Sequence, residues 1–173
     1  MAIKVKLEKD GFIKDGFVGF SWTSIFFNLW VPAFRLHFDG FIIFFIIYLI
    51  ETLLPIFILV NSIINYQNLK KIPILFYLQI ISYIVTFFVG CWYNKYYTKK
   101  MLENGWKLLE NDEYSAAVLK GYRYLDYTET EIADQDKMQR YAEFLVEVKS
   151  RERNKFFFFL LAIILIICLV VFF

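Results

Sequence analysis

Residues 16–40 read GFVGFSWTSIFFNLWVPAFRLHFDG. The fold turns on whether this stretch crosses a membrane, lies on one or fills a soluble core. Trp22, Ile25, Phe26, Leu29 and Ala33 follow the i, i+3, i+4 spacing of one helix face. Ser24, Asn28 and Arg35 form a narrower polar strip opposite. Ser21 suits an N-cap, and Pro32, without an N–H, is expected to end or kink the helix.

Outward from this stretch the chain is strongly apolar. It is 59% hydrophobic and 21% aromatic over 173 residues, where a soluble domain averages roughly half apolar. Residues 41–60 are 20 long with one charge, residues 73–93 are 21 long with none, and residues 156–173 are 18 consecutive apolar residues. Eighteen helical residues span ~27 Å, close to the ~30 Å hydrocarbon core. The expectation is an all-α integral membrane protein with three transmembrane helices, an N-terminal interfacial helix and a helical cytoplasmic module.

Charge supports that division. Residues 101–150 hold 6 Lys/Arg and 11 Asp/Glu, whereas the other residues hold 13 and 6. Lys4, Lys6, Lys9, Lys14 and Arg35 precede the first apolar run; Lys95, Lys99, Lys100 and Lys107 follow the second; Lys149, Arg151, Arg153 and Lys155 precede the third. Positive-inside counting puts the N-terminus and residues 94–154 in the cytoplasm and Phe173 outside. No cleavable signal peptide is expected, because the first long apolar run comes too late. The domains expected are residues 1–40 (cytoplasmic N-terminus and interfacial aromatic helix), 41–93 (transmembrane hairpin), 94–154 (cytoplasmic helical module) and 155–173 (C-terminal transmembrane helix).

The opening stretch then has to begin and end on the cytoplasmic side. The favoured reading is a short helix in the interface with Trp22 and Trp30 at headgroup depth; a shallow re-entrant turn and a cytosolic core helix are the alternatives. The pattern Phe20-Ser21-Trp22-Thr23-Ser24, then Phe26-Phe27 and Pro32-Ala33-Phe34-Arg35, resembles the start of a family of small bacterial membrane proteins that includes the HrgC-like proteins. Gly90, Asn94 and Tyr97 match a later Gly-x-x-x-Asn-x-x-Tyr pattern. The resemblance covers roughly residues 12–106 and departs at Asn28, where the family usually has Gly, and at Leu36-His37. It implies a bacterial inner-membrane setting and no known activity.

Polar residues within the apolar runs are the candidate site. Glu51 is ten residues into the first run, ~15 Å deep, where an ionised acid costs roughly 2.5–3.5 kcal/mol on insertion scales. It reads either as a proton or ion site or as a hydrogen-bonded packing lock. Depth matching puts Ser82 and Tyr83 level with it, and Gln79 a turn further out. Ser82, Thr86, Gly90 and Asn94 recur every fourth residue, a small-residue face that admits a neighbouring helix. Cys91 and Cys168 lie in different runs, no CxxC or Cys/His metal spacing occurs, and no disulfide is expected.

In the polar block, Leu102, Trp106 and Leu109 suggest continued helix, a second helix is expected over 112–120, and Thr128 to Glu131 spells a capping box. From there one helix is expected through to Phe173. Catalysis has little to work with: one His, no nucleophile–base pair and no phosphate-cradling loop. An acidic soluble block argues against nucleic acid. No cofactor or metal is expected. The sequence favours a non-enzymatic adaptor or accessory subunit whose partners are membrane lipid and a membrane protein or a second copy. The alternative is an oligomeric channel or ion-coupled transporter element using Glu51.

Overall fold

The N-terminal residues alternate with a period of two. Ile3, Val5 and Leu7 are buried while Lys4 and Lys6 are exposed, as one-sided burial of a strand requires. In the computed structural model, which describes residues 2–64 and 72–172, they form β1 (Ile3–Lys9), which pairs antiparallel with β2 (Phe12–Val18) in the register Ile3↔Val18 to Lys9↔Phe12. The turn is Asp10-Gly11 with φ of 52° and 80°, the doubly left-handed geometry of a tight hairpin. β3 (Lys107–Leu108) joins the other edge of β1, opposite Leu7 and Glu8, so the strand order is β2-β1-β3.

This overturns the all-α expectation. Lys4 and Lys6, counted as topology signals, are the solvent-facing side of an amphipathic strand, and the Asp-Gly turn is the signal that the charge count passed over. The span count is also corrected. Among the described residues one helix, Phe38–Ile64, is long and apolar enough to cross a membrane, where three were expected. The other two apolar runs are helical as parts of longer helices that carry polar extensions: α4 (Ile72–Glu103) continues past Asn94, and α7 (Gln135–Phe172) opens with a polar, charge-rich stretch up to Lys155. A loop outside the membrane is expected over about 64–72, between the first two apolar runs; residues 65–71 lie outside the described residues, as does Phe173.

The chain forms two units. The first, the sheet unit, combines Met1–Gly19 with Thr98–Phe173; the second, the helical unit, is Phe20–Tyr97. In the sheet unit, α5 (Glu113–Gly121) begins at Asp112, whose carboxylate accepts from the Ser115 N–H at 3.0 Å and from its hydroxyl at 2.7 Å. Ser115 Oγ in turn accepts from the Lys6 N–H at 2.9 Å and ties the helix to the sheet. Thr98 does the same for β2, accepting from the Phe17 N–H at 2.7 Å and donating to the Phe17 carbonyl at 2.6 Å. The helix expected over 112–120 is present. The stripe of Leu102, Trp106 and Leu109 is not one helix, because α4 ends at Glu103 and Gly105 turns the chain with φ 85°.

Thr128 caps α6 (Glu129–Ala133) with both bonds of the capping box in place. The helix expected to run unbroken from there stops at Asp134, in extended backbone, and restarts as α7 (Gln135–Phe172). Ala116, Ala117 and Tyr141 make the core between α5 and α7, flanked by Met138 and Phe144. The i, i+4 spacing of Asp136–Arg140 and of Glu147–Arg151 suits ion pairs; Glu147–Arg151 forms at 2.6 Å, whereas Arg140 pairs with Glu113 through two bonds of 3.0 Å.

The helical unit holds α1 (Trp22–Phe27), α2 (Trp30–Phe34), α3 (Phe38–Ile64) and the part of α4 (Ile72–Glu103) up to Tyr97. The break in the opening stretch comes at Asn28, with φ 37°. With ψ at −111° this is not the left-handed helical region but backbone that glycine adopts most readily, so Asn28 is strained there. Pro32 sits in the first turn of α2, where its missing N–H costs no helical bond.

Candidate functional site

The two groups of candidate residues meet in the helical unit. Gly90 is buried on α4, and its carbonyl accepts from the Ser21 N–H at 2.9 Å. A Cβ at residue 90 would stand 2.7 Å from Ile25 Cγ1 and 3.3 Å from the Phe20 ring. The close approach that the small-residue face was expected to give another transmembrane helix is thus used here by the entry segment. Ser21 Oγ does not cap α1; it shares a 2.5 Å bond with Ser24 Oγ, both groups being fully buried. Phe20 stacks edge-on to Trp22 at 4.7 Å and leans on Phe87 at 5.6 Å.

One turn further along α4, Arg35 closes the contact. Its Nη1 donates to Asn94 Oδ1 at 2.9 Å, and Asn94 is fully buried. The guanidinium lies 5.1 Å from the Tyr93 ring centre and 5.2 Å from that of Tyr97, within cation–π range. Burial pulls the Arg35 pKa below its ordinary value, while Tyr93 and Tyr97 raise it back in part. The His37 ring packs 5.2 Å from Tyr97, 5.5 Å from Tyr96 and 6.0 Å from Tyr93. Gly40 leaves no room for a Cβ against His37 and Tyr93. Tyr97 was noted in the sequence only as part of a pattern with Gly90 and Asn94, His37 only as a departure from the resembling family, and Tyr93 was not singled out. The spacing of Tyr93 and Tyr97, one turn apart beside Asn94, was the available signal.

Glu51 is placed elsewhere in the same unit. Its Oε1 accepts from Thr86 Oγ1 at 3.2 Å, a turn along the expected face from Ser82. Gln79 and Ser82 line a cavity with Glu51, while Tyr83 points away and is 67% exposed. Trp30 is 63% exposed beside Phe34, and Phe26, Phe27, Leu36 and Phe38 are also exposed. The entry segment therefore has one face on α4 and a broad apolar face uncovered. Patches of this kind mark lipid or protein contact.

The sheet unit contains a buried polar network that only the capping box announced. Lys120 and Glu131 are 7% and 9% exposed and form an ion pair through Glu131 Oε2. That oxygen also accepts from the Thr128 N–H at 3.0 Å, and Oε1 accepts from Tyr141 Oη at 3.1 Å. Burial pushes the Glu131 carboxyl up, but the bonds from Lys120, Thr128 and Tyr141 outweigh it and hold the carboxyl at about 2. Burial and the bond to Glu131 push the Tyr141 hydroxyl up to about 12.

The arrangement offers packing, fixed charge and hydrogen bonding. Among the described residues no group of three or more His, Cys, Asp or Glu side chains could hold a metal ion. Cys91 and Cys168 are free thiols. No family model, curated protein or solved structure matches the chain.

Proposed function

We propose that the protein is a non-enzymatic adaptor or accessory subunit of a bacterial inner membrane, anchored through its helical unit and presenting its sheet unit to partners in the cytoplasm. The observation that carries this reading is the pairing of β1 with β3 around an apolar insertion. Residues before the helical unit and residues after it belong to one sheet, Leu7 opposite Leu108. Any membrane crossing by α3 therefore has to be answered by a return before Thr98. In this reading both ends of the apolar insertion lie on the cytoplasmic side.

Exposure supports the setting. Along α3, Ile46, Ile50, Leu53, Phe57, Ile63 and Ile64 are all more than half exposed. An apolar helix with such open sides is out of place in water. Lipid contact extends to the entry segment and to α7, where exposed Lys149, Arg151, Arg153 and Lys155 lead into exposed Phe156, Phe157 and Phe158. Cations beside aromatic side chains suit an anionic headgroup layer. The resemblance to the HrgC-like proteins supports the bacterial setting.

The topology is tested with reporters. One ahead of Ala2 and one at exposed Asn111 are expected to read the same, cytoplasmic, side. Opposite sides would exclude a single sheet in the membrane-bound protein. The adaptor reading is tested by photocrosslinking in native membranes from exposed Gln139 and Glu143 of α7. A discrete protein adduct is expected, weakened by charge reversal within residues 126–136. Lipid adducts alone would reject the adaptor. The channel alternative is favoured only by the position of Glu51, and it predicts that Glu51→Gln abolishes the cellular phenotype while folding is retained.

A further inference from the structure

The geometry points to a binding site for a small lipophilic primary ammonium ion between α3 and α4, with Glu51 as its counter-charge. This goes beyond the adaptor reading, since a ligand at Glu51 neither requires nor excludes a protein partner. The site is a cavity of about 220 Å³ within the helical unit. Its walls are apolar side chains such as Ile47, Leu54 and Leu78, and its polar groups are Glu51, Gln79 and Ser82.

Three features select the ligand. The Glu51 carboxyl has room for about four hydrogen bonds, and among the described residues it accepts one, from Thr86 Oγ1 at 3.2 Å. Pro55, four residues on and also lining the cavity, has no N–H to give to the Glu51 backbone carbonyl. Residue 51 therefore supplies two under-used acceptors, and both favour a positive, donor-rich head. In an apolar surrounding an unfilled acceptor is destabilising, so an occupant with several N–H groups is stabilised there. A primary ammonium brings three donors and one charge; Gln79 Oε1 and Ser82 Oγ are further acceptors at the same cavity.

The apolar walls set the rest. A hydrated metal ion needs six or so oxygen ligands, which this cavity does not offer, whereas an aryl or short alkyl body matches Ile47, Leu54 and Leu78. The volume is below the roughly 300–1,000 Å³ of drug-sized sites, so the body is about one ring and a short tether.

The test is isothermal titration calorimetry on the full-length protein in detergent. The ligand is 2-phenylethylammonium, with 2-phenylethanol as the uncharged probe of the same body. Saturable 1:1 binding of the ammonium is expected, with the alcohol about tenfold or more weaker, because removing one partner of a desolvated charge pair is costly. Glu51→Gln keeps an oxygen for Thr86 and is expected to fold, with ammonium binding also weakened about tenfold or more. Ser82→Phe and Ile47→Trp fill the cavity from opposite helices, and each is expected to abolish binding while thermal stability is kept. Equal heats for amine and alcohol, or equal binding by wild type and Glu51→Gln, would mean partition into the micelle and would overturn the site. So would the absence of saturable heat with the wild type, or full binding by whichever cavity-filled variant remains folded.

Discussion

Lys120→Met is expected to destabilise the sheet unit by about 3–5 kcal/mol, the usual cost of removing one partner from a buried ion pair. The reason is the charge left behind. Glu131 is 9% exposed, and its carboxylate would keep the Thr128 and Tyr141 bonds and the half-buried Lys137 at 3.5 Å, but would lose its buried counter-ion. Against a typical total of roughly 5–15 kcal/mol, this is a drop in thermal midpoint readily seen by circular dichroism. The double variant Lys120→Met/Glu131→Leu removes both charges and is expected to recover much of the loss, since apolar replacement of a whole buried pair is often neutral or better. A double variant as unstable as the single one would refute the buried-charge account.

The same network sets an acid limit. The Glu131 carboxyl is depressed from 4.5 to about 2 in the folded chain. A depressed folded-state value means that the stabilisation is complete above the unfolded pKa and is lost as pH falls through the folded one. The contribution, roughly 3 kcal/mol, should therefore fade between about pH 4.5 and pH 2. Glu131→Gln should flatten the stability profile in that window and leave its shape above pH 6 unchanged.

Gly90→Leu is expected to detach the entry segment from α4. Even the first added carbon would stand 2.7 Å from Ile25 Cγ1 and 3.0 Å from Ile25 Cδ1. Overpacking of this kind costs about 1–3 kcal/mol. Moving the segment away also breaks the bond from Ser21 to the Gly90 carbonyl, worth roughly 0.5–1.5 kcal/mol. Trp22, half-buried against Phe20, reports the event: its emission should shift and its access to a soluble quencher should change. Gly90→Ala should give a smaller shift in the same direction. A Leu variant with wild-type emission and thermal stability would exclude the close contact.

The long apolar runs were legible as helices because eighteen or more apolar residues are too long for one strand of a small domain. The N-terminal hairpin was equally legible in Ile3, Val5 and Leu7 alternating with Lys4 and Lys6 ahead of Asp10-Gly11. Counting lysines as topology markers assigned those charges a role before their period was examined. For the site, Arg35 and Asn94 were each visible, but they are 59 residues apart and nothing local joins them. Depth matching for Glu51 assumed that its two helices start level. An offset of one turn moves the partner from Ser82 to Thr86 on the same face. Lys120 and Tyr141 were invisible as partners of Glu131 because an amphipathic pattern assigns charges to the outside, and this pair is inside.

The discontinuous sheet unit has a consequence for biosynthesis. The Lys6 N–H bonds to Ser115, 109 positions later, and the outer edge of β1 meets β3 only after Leu108 has been made. At about 5–20 residues per second, roughly 5–20 s pass between the emergence of the hairpin and that of its cover. For that interval Ile3, Val5 and Leu7 form an apolar face with no helix over it, beside an unpaired strand edge of the kind that recruits other chains. The nascent hairpin is therefore the part of the chain that a chaperone would shelter during synthesis. Depleting such shelter should harm newly made chains while leaving mature ones intact.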